Sequence, residues 1–584
     1  LKFSNQQKNY LNFNNIEFFY YLPLDFRFLT GIYVYTSSNS CFSLLPNKEI
    51  KEVAMTKSSS HNQCNHLSRR NFLKLSAMTS VVALSPALWP KISRAGEKTI
   101  LKVRDYGDIT CLDPGVASNL YDETVNGTIY NKLIQYKPGG KWGWQLDAAE
   151  HIEQVDPTHI KFKLKKGIKF TNDFGEMKAE DVKYSFERIA DPAFDSPVQG
   201  DWKPLDHVKV TGDYTGVIVL NEPFQALWMT TLPYMAGNII SKKAVESVGG
   251  KFAKEPPACS GPYMFKEWKP KQRTVLKRNE LWSGPRPDFD EIWIYPIDDE
   301  KTAEMAFEAG DIDFTRMSIS SYKRYKNKTP AGVRVEKYPS LYYVWIGMNM
   351  ENPKLQDKRI RKAVQYAIDV PSILEAGYFG VAEPSTGIIP PGLCGHRKNA
   401  LIPPKANIEK AKKLLKEAGH SNGITLTMDL RNKESYVTTA QVIQATLAQA
   451  GIKLEIKVHD SGSFWSLGDD SKGDRWKEIQ LVHNRFSSAP DPYYAAQWFT
   501  KEQIGVWNWE RFDNPRYNQL HKKAISESNR QKRCGMYEKM QDIMEESGAY
   551  RFITHEANPV LSRTTIKPSL RPDGMPLLRY FKKG

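Results

Sequence analysis

The residues best able to do covalent or metal chemistry in this 584-residue chain are its six cysteines and 11 histidines. Their spacing argues against both. Cys111, Cys259, Cys394 and Cys534 stand singly, outside any CxxC pair or CxxH cluster. Neither a thiolate metal site nor a redox dithiol is therefore expected. Each reads best as a buried free thiol. One disulfide stays open if the compartment is oxidising, and the sequence does not choose among the three full pairings that four cysteines allow. The histidines are scattered, and no HExxH, GxSxG, P-loop or GxGxxG motif occurs. The expectation is a protein without catalytic residues, metal or cofactor.

A different chemistry is written before residue 96. Arg69 and Arg70 open the run SRRNFLK, an apolar stretch follows from Leu75 to Trp89, and Ser93-Arg94-Ala95 is a small-x-small site. Charged, apolar and cleavable segments in that order form an export signal. The paired arginines resemble the twin-arginine (Tat) address, with cleavage expected between Ala95 and Gly96. The apolar stretch is shorter than the roughly 20 residues a spanning helix needs. No cysteine stands at the cleavage point for lipid attachment. Met55 opens a normal basic leader, so residues 1–54 are expected to be upstream translated sequence and 55–95 the signal. That leaves a mature chain of 584 − 95 = 489 residues. A periplasmic, untethered protein is expected, exported by the Tat translocase.

The formal charge is +16. Residues 1–95 hold 11 Lys and Arg against 4 Asp and Glu, so about +9 belongs to the rest. Those charges are interspersed, as in KFKLKKGIKF (161–170). Dispersed cations make solvated faces, whereas a nucleic-acid footprint is a concentrated patch. No nucleic-acid partner is expected, although a basic balance favours anionic ligands.

The elements that would position a site alternate between strand and helix. A period-two pattern marks a strand at 159–165, and further strands are suggested at 216–220, 291–297, 342–349, 424–430 and 454–458. Asp357 precedes a helical face of Ile360, Val364, Ala367 and Ile368, and Asp181 leads into Val182, Phe186 and Ile189. Asn407 and Gly419 bracket IEKAKKLLKEA as cap and stop, and two more helices are expected at 517–528 and 533–547. Such mixed order implies α/β lobes.

An ordered series of segments now resembles one family. Tyr130 to Leu133, Phe162 to Phe170 and Ala179 to Phe186 match its opening block. CSGPYMFKEW, AFEAGDIDF (306–314), IGMNMENPKLQDKRIRKAVQYAID, AKKLLKEAG, AQAGIKLEIKVHD, APDPYY and NPRYNQLHKKA follow in the same order. The chain is similar to the oligopeptide/dipeptide/nickel-binding solute receptors of ABC transporters. The resemblance implies a two-lobed periplasmic-binding-protein fold whose discontinuous first lobe carries an extra subdomain. Lobe I would cover 96–339, with the subdomain at about 125–225. Lobe II would be 340–553, and 554–584 would return to lobe I. It further implies a monomer that captures a small peptide-like or anionic solute by hinge closure and delivers it to an inner-membrane ABC permease. A chelated-metal receptor, a Tat-exported enzyme and a receptor feeding a chemosensor are the alternatives.

The resemblance also selects site residues. HNRFSSAPDPYY (483–494) is similar to the family's ligand-facing loop of the second lobe. Where peptide receptors hold the ligand's amine with an aspartate, this chain has Ser488, three residues before Asp491. A lone hydroxyl is a poor partner for a buried ammonium. Arg485 offers a planar fork for an anion and Phe486 a stacking face. Asp491, before Pro492, also suits a turn start. Asn119 and Tyr121 in the opening loop, and Asn508 in VWNWERFDNP, complete the expected ligand-binding set. The expected ligand is acidic and meets Arg485.

Overall fold

Residues 98–584 are described by a computed structural model, and Lys98–Gly584 pack as one unit. Arg69 and Arg70 of the expected signal, the expected cleavage point Ala95–Gly96 and residues 1–54 lie outside the described residues.

Among the described residues three sheets of four or more strands organise the fold. A seven-stranded sheet runs in the order 263–269, 273–278, 291–296, 100–105, 314–316, 557–563, 333–339. Its first strand, Ile100–Asp105, lies parallel to Glu291–Pro296 in register from Ile100 opposite Glu291. The late strand Ala557–Arg563 runs antiparallel between Phe314–Arg316 and Val333–Pro339. A five-stranded sheet has the order 452–459, 424–431, 481–487, 342–348, 550–554. The chain thus passes between these sheets twice, over Ser340-Leu341 and back over His555-Glu556.

Side-chain period explains the layering. In Tyr342–Met348, Val344, Ile346 and Met348 face one core while Tyr343 and Trp345 face another. A strand covered on both faces reads as a continuous apolar run. By contrast His159–Leu164 alternates, with Ile160, Phe162 and Leu164 buried and Lys161 and Lys163 exposed. It belongs to a four-stranded antiparallel sheet, 149–156, 159–164, 215–220, 205–212. The helix Ala179–Ala190 lays Val182, Phe186 and Ile189 on that layer's core. Asp181 sits within its first turn, not before it, and accepts from the Lys178 and Lys242 amides at 2.8 and 2.9 Å.

The other helices follow their caps. Asp357 and Asn407 each accept a first-turn amide, and Gly419 follows the second helix at φ +87°. The last two helices begin earlier than periodicity suggests, at Pro515 and Arg530, because Asn514 and Asn529 are the caps. Two cysteines also depart from expectation. Cys394 and Cys534 form a disulfide across 140 residues, while Cys111 and Cys259 are buried thiols. Neither bonded cysteine belongs to a local motif; the pairing comes from the last long helix docking on the loop after Pro390.

Candidate functional site

A cavity of about 150 Å³ lies where the chain crosses between the two large sheets. It is lined from both sides and by the crossing residues Ser340, Leu341 and Tyr342. At roughly 10–15 Å³ per water-sized site, it holds on the order of ten waters or a small organic solute.

One wall is charged. Arg316 ends the short strand Phe314–Arg316, which the parallel strand Ile100–Asp105 and the late strand Ala557–Arg563 hold from either side. Its guanidinium donates to Asn558 Oδ1, contacts Met575 Sδ at 3.6 Å and lies 4.9 Å over the Tyr106 ring. No carboxylate among the described residues is within ion-pair distance of it. Burial pulls its pKa down, partly offset through space by Tyr342, Asp573 and Asp105. Beside it Arg571 and Asp573 satisfy one another through a bidentate pair, with Arg571 also over the Tyr136 ring at 5.1 Å.

Asp201 enters from the four-stranded layer. Its position follows from its neighbour Trp202, which is fully buried, stacks on Phe186 at 4.3 Å and donates its indole N–H to Ala236 O at 2.8 Å. With Trp202 anchored, the preceding residue is presented to the cavity. Asp201 Oδ1 accepts from Tyr494 Oη at 3.0 Å, a hydrogen bond between residues 293 positions apart. Burial pushes the Asp201 carboxyl up to about 7, with the Tyr494 hydroxyl pulling the other way.

The opposite wall, Ser487 to Pro490 with Tyr494, carries no charged side chain. Ser488 lines the cavity, held by its amide on Leu341 O at 2.9 Å. The other expected residues are placed differently. Arg485 does not line the cavity. It makes a bidentate pair with Glu556, at 2.8 and 2.9 Å, and lies 3.4 Å over the Tyr342 ring. Both partners belong to the crossings. Phe486 is inside an aromatic cluster, 4.9 Å from Trp345 and 5.9 Å from Trp507. Asp491 caps the helix Pro492–Ala496 and makes a buried bidentate pair with Arg533, both contacts at 2.7 Å. Asn508 is fully buried, donating to the carbonyls of Phe499, Thr500 and Phe512. Asn119 and Tyr121 flank the lining residues Ser118 and Leu120. Asn119 bonds Thr110 and Asp122, and the Tyr121 ring fills the space beside Gly107.

Sequence reading missed Arg316, Asp201 and the Arg571–Asp573 pair. Arg316 lies two residues beyond the quoted segment AFEAGDIDF, and nothing in the sequence marks it as unpaired. Asp201 could have been suspected only from its place before a tryptophan.

Residues 144–505 match the profile of bacterial extracellular solute-binding proteins, family 5. That span is more than half of the chain. The protein belongs to this family. The glutathione-binding protein GsiB of Escherichia coli (strain K12) is 24% identical over 474 residues, covering 79% of this chain and 90% of GsiB. The periplasmic binding protein DppA of Helicobacter pylori, solved with the peptide STSA, has 24% identity and a TM-score of 0.63, covering 83% of this chain and 98% of DppA. NikA of Brucella suis, solved with Fe(III)-EDTA, has 18% identity and a TM-score of 0.70, covering 83% of this chain and all of NikA. These likenesses establish the two-lobed α/β fold for the solute-binding protein described here. Among its described residues no helix is long and apolar enough to cross a membrane.

Proposed function

We propose that this solute-binding protein is the periplasmic receptor of an ABC importer, exported by the Tat pathway as a monomer, that closes on a small peptide-like or anionic solute and hands it to the inner-membrane permease. The observation that carries the reading is the cavity itself, lined from both sheets at the point where the chain crosses twice. A solute touching both walls gains contacts only when the lobes are together, which shifts the population toward the closed form. Lobe I is assigned to 96–339 with its subdomain near 125–225, lobe II to 340–553, and 554–584 to the return strand. The protein carries out no turnover; its work is capture and release. A peptide-like ligand agrees with GsiB being named for glutathione and DppA being solved with a peptide. A second reading, a chelated metal, rests on NikA holding Fe(III)-EDTA, because a chelate brings its own carboxylates to a site such as Arg316. Native mass spectrometry of the purified protein, with elemental analysis of the same sample, separates the two. Small-angle scattering should show a smaller radius of gyration on saturation with the identified solute. An unchanged radius would remove lobe closure from the proposal.

A further inference from the structure

The charges around the cavity divide unevenly between its walls. Of the lining residues, four carry formal charge, Asp201, Arg316, Arg571 and Asp573, and all lie outside the second-sheet wall. Arg571 and Asp573 cancel each other in a bidentate pair. That leaves one carboxylate and one guanidinium, neither paired to an opposite charge among the described residues. The second-sheet wall offers the hydroxyls of Ser487, Ser488 and Tyr494.

We infer that the first lobe with its subdomain reads the charge of the solute alone, Arg316 receiving its anionic group and Asp201 its cationic group, while the second lobe adds hydroxyl contacts on closure. The inference rests on the receptor reading above and assigns the specificity of that same cavity. Three points of physics support it. A guanidinium confined beside Asn558 and Met575 lacks the charged acceptor that makes such bonds strong, and a ligand carboxylate or phosphate supplies it. A carboxyl pushed toward neutrality by burial regains its charge when an ammonium arrives. Tyr494 already bonds one Asp201 oxygen from across the cavity, so a donor seated on the other oxygen would be bridged to the second lobe through one side chain. An amine-binding carboxylate is missing at Ser488, and Asp201 supplies one from the facing wall.

The test uses the whole mature protein and a casein digest offered in three forms: untreated, with its amines acetylated, and with its carboxyls methyl-esterified. Species retained after gel filtration are counted by mass spectrometry. Wild type should retain untreated species and lose about tenfold or more of them on either treatment. Asp201→Asn should stop distinguishing acetylated from untreated species, and Arg316→Gln should stop distinguishing esterified ones. Thermal midpoints within a few degrees of wild type would show that both variants fold, and Arg316→Lys should restore part of the ester discrimination. Retention of acetylated and untreated species equally by wild type overturns the role of Asp201; equal retention of esterified species overturns that of Arg316. If nothing in the digest is retained while the protein still compacts on a copurified solute lacking opposite charges, the charge assignment is wrong and the receptor reading stands. If no solute of any kind compacts the protein, the receptor reading itself fails.

Discussion

Removing the Cys394–Cys534 crosslink offers a measurement whose size follows from the topology. The bridge closes a loop of 140 residues. In the chain-entropy account such a crosslink removes about 17 cal/mol/K from the unfolded state, or about 5 kcal/mol at 25 °C. The shift in melting temperature depends on what unfolds with it. If the segment Tyr342–Thr554 melts alone, 213 residues at about 2.1 cal/mol/K each give a drop of about 11 °C. If all of residues 98–584 melt together, 487 residues give a drop of only about 5 °C. Calorimetry of a Cys394→Ser/Cys534→Ser variant therefore reports both the crosslink and the cooperativity between lobes. A second peak left unmoved would mark the first lobe as an independent unit. A thiol titration of unfolded wild type spanning residues 96–584 should find two reactive groups, Cys111 and Cys259. A midpoint unchanged within 2 °C, with four titratable thiols in wild type, would refute the argument.

Three further outcomes are expected. Asp491→Ala should cost about 3–5 kcal/mol of stability, read by urea unfolding, because it strands the buried Arg533, and adding Arg533→Met should recover part of the loss; were Asp491 a ligand contact only, stability would not move. Arg485→Ala should raise hydrogen exchange at residues 340–342 and 555–557, since one guanidinium holds Glu556 and covers Tyr342, and no change there would show that it leaves the crossings as they were. The pH dependence of stability follows from opposing groups: burial raises Asp105, Asp201 and Glu510 to about 7, while burial lowers His483 and His555 to about 3 and His521 to about 4. The acids hold extra protons in the folded state below pH 7 and so favour folding as pH falls; the histidines refuse protons that the unfolded chain takes up below pH 6.5 and so oppose it. The two sets nearly cancel between pH 4.5 and 6.5. Asp201→Asn should tilt that plateau, losing about 1.4 kcal/mol per pH unit on acidification relative to wild type, and parallel curves would show that Asp201 does not hold its proton.

The architecture was legible because it rests on local signals. Alternation in IKFKL, the caps Asp357 and Asn407 and the both-faced run YYVWIGM each specify an element without reference to the rest of the chain. The site was less legible because it depends on which charges are paired. Arg485 and Arg316 look alike in sequence, yet Glu556 claims the first and, among the described residues, no carboxylate claims the second. Asp491 is likewise claimed by Arg533, 42 residues away, whereas Asp201 meets only the Tyr494 hydroxyl among the described side chains. Such pairings are made by tertiary packing, and no period or cap announces them. The disulfide was hidden for the same reason.

The late strand Ala557–Arg563 lies inside the seven-stranded sheet, with Phe314–Arg316 on one side and Val333–Pro339 on the other. During synthesis the gap it will fill stays open while residues 340–556 are made, so the earlier strands of that sheet wait for a partner that follows the whole of the second sheet. The same final stretch brings Asn558, Arg571 and Asp573 to the cavity. A chain that stopped at Glu556 would lack a central strand and part of the cavity wall together. One segment thus completes both the sheet and the cavity wall, and a product that stops before it has neither.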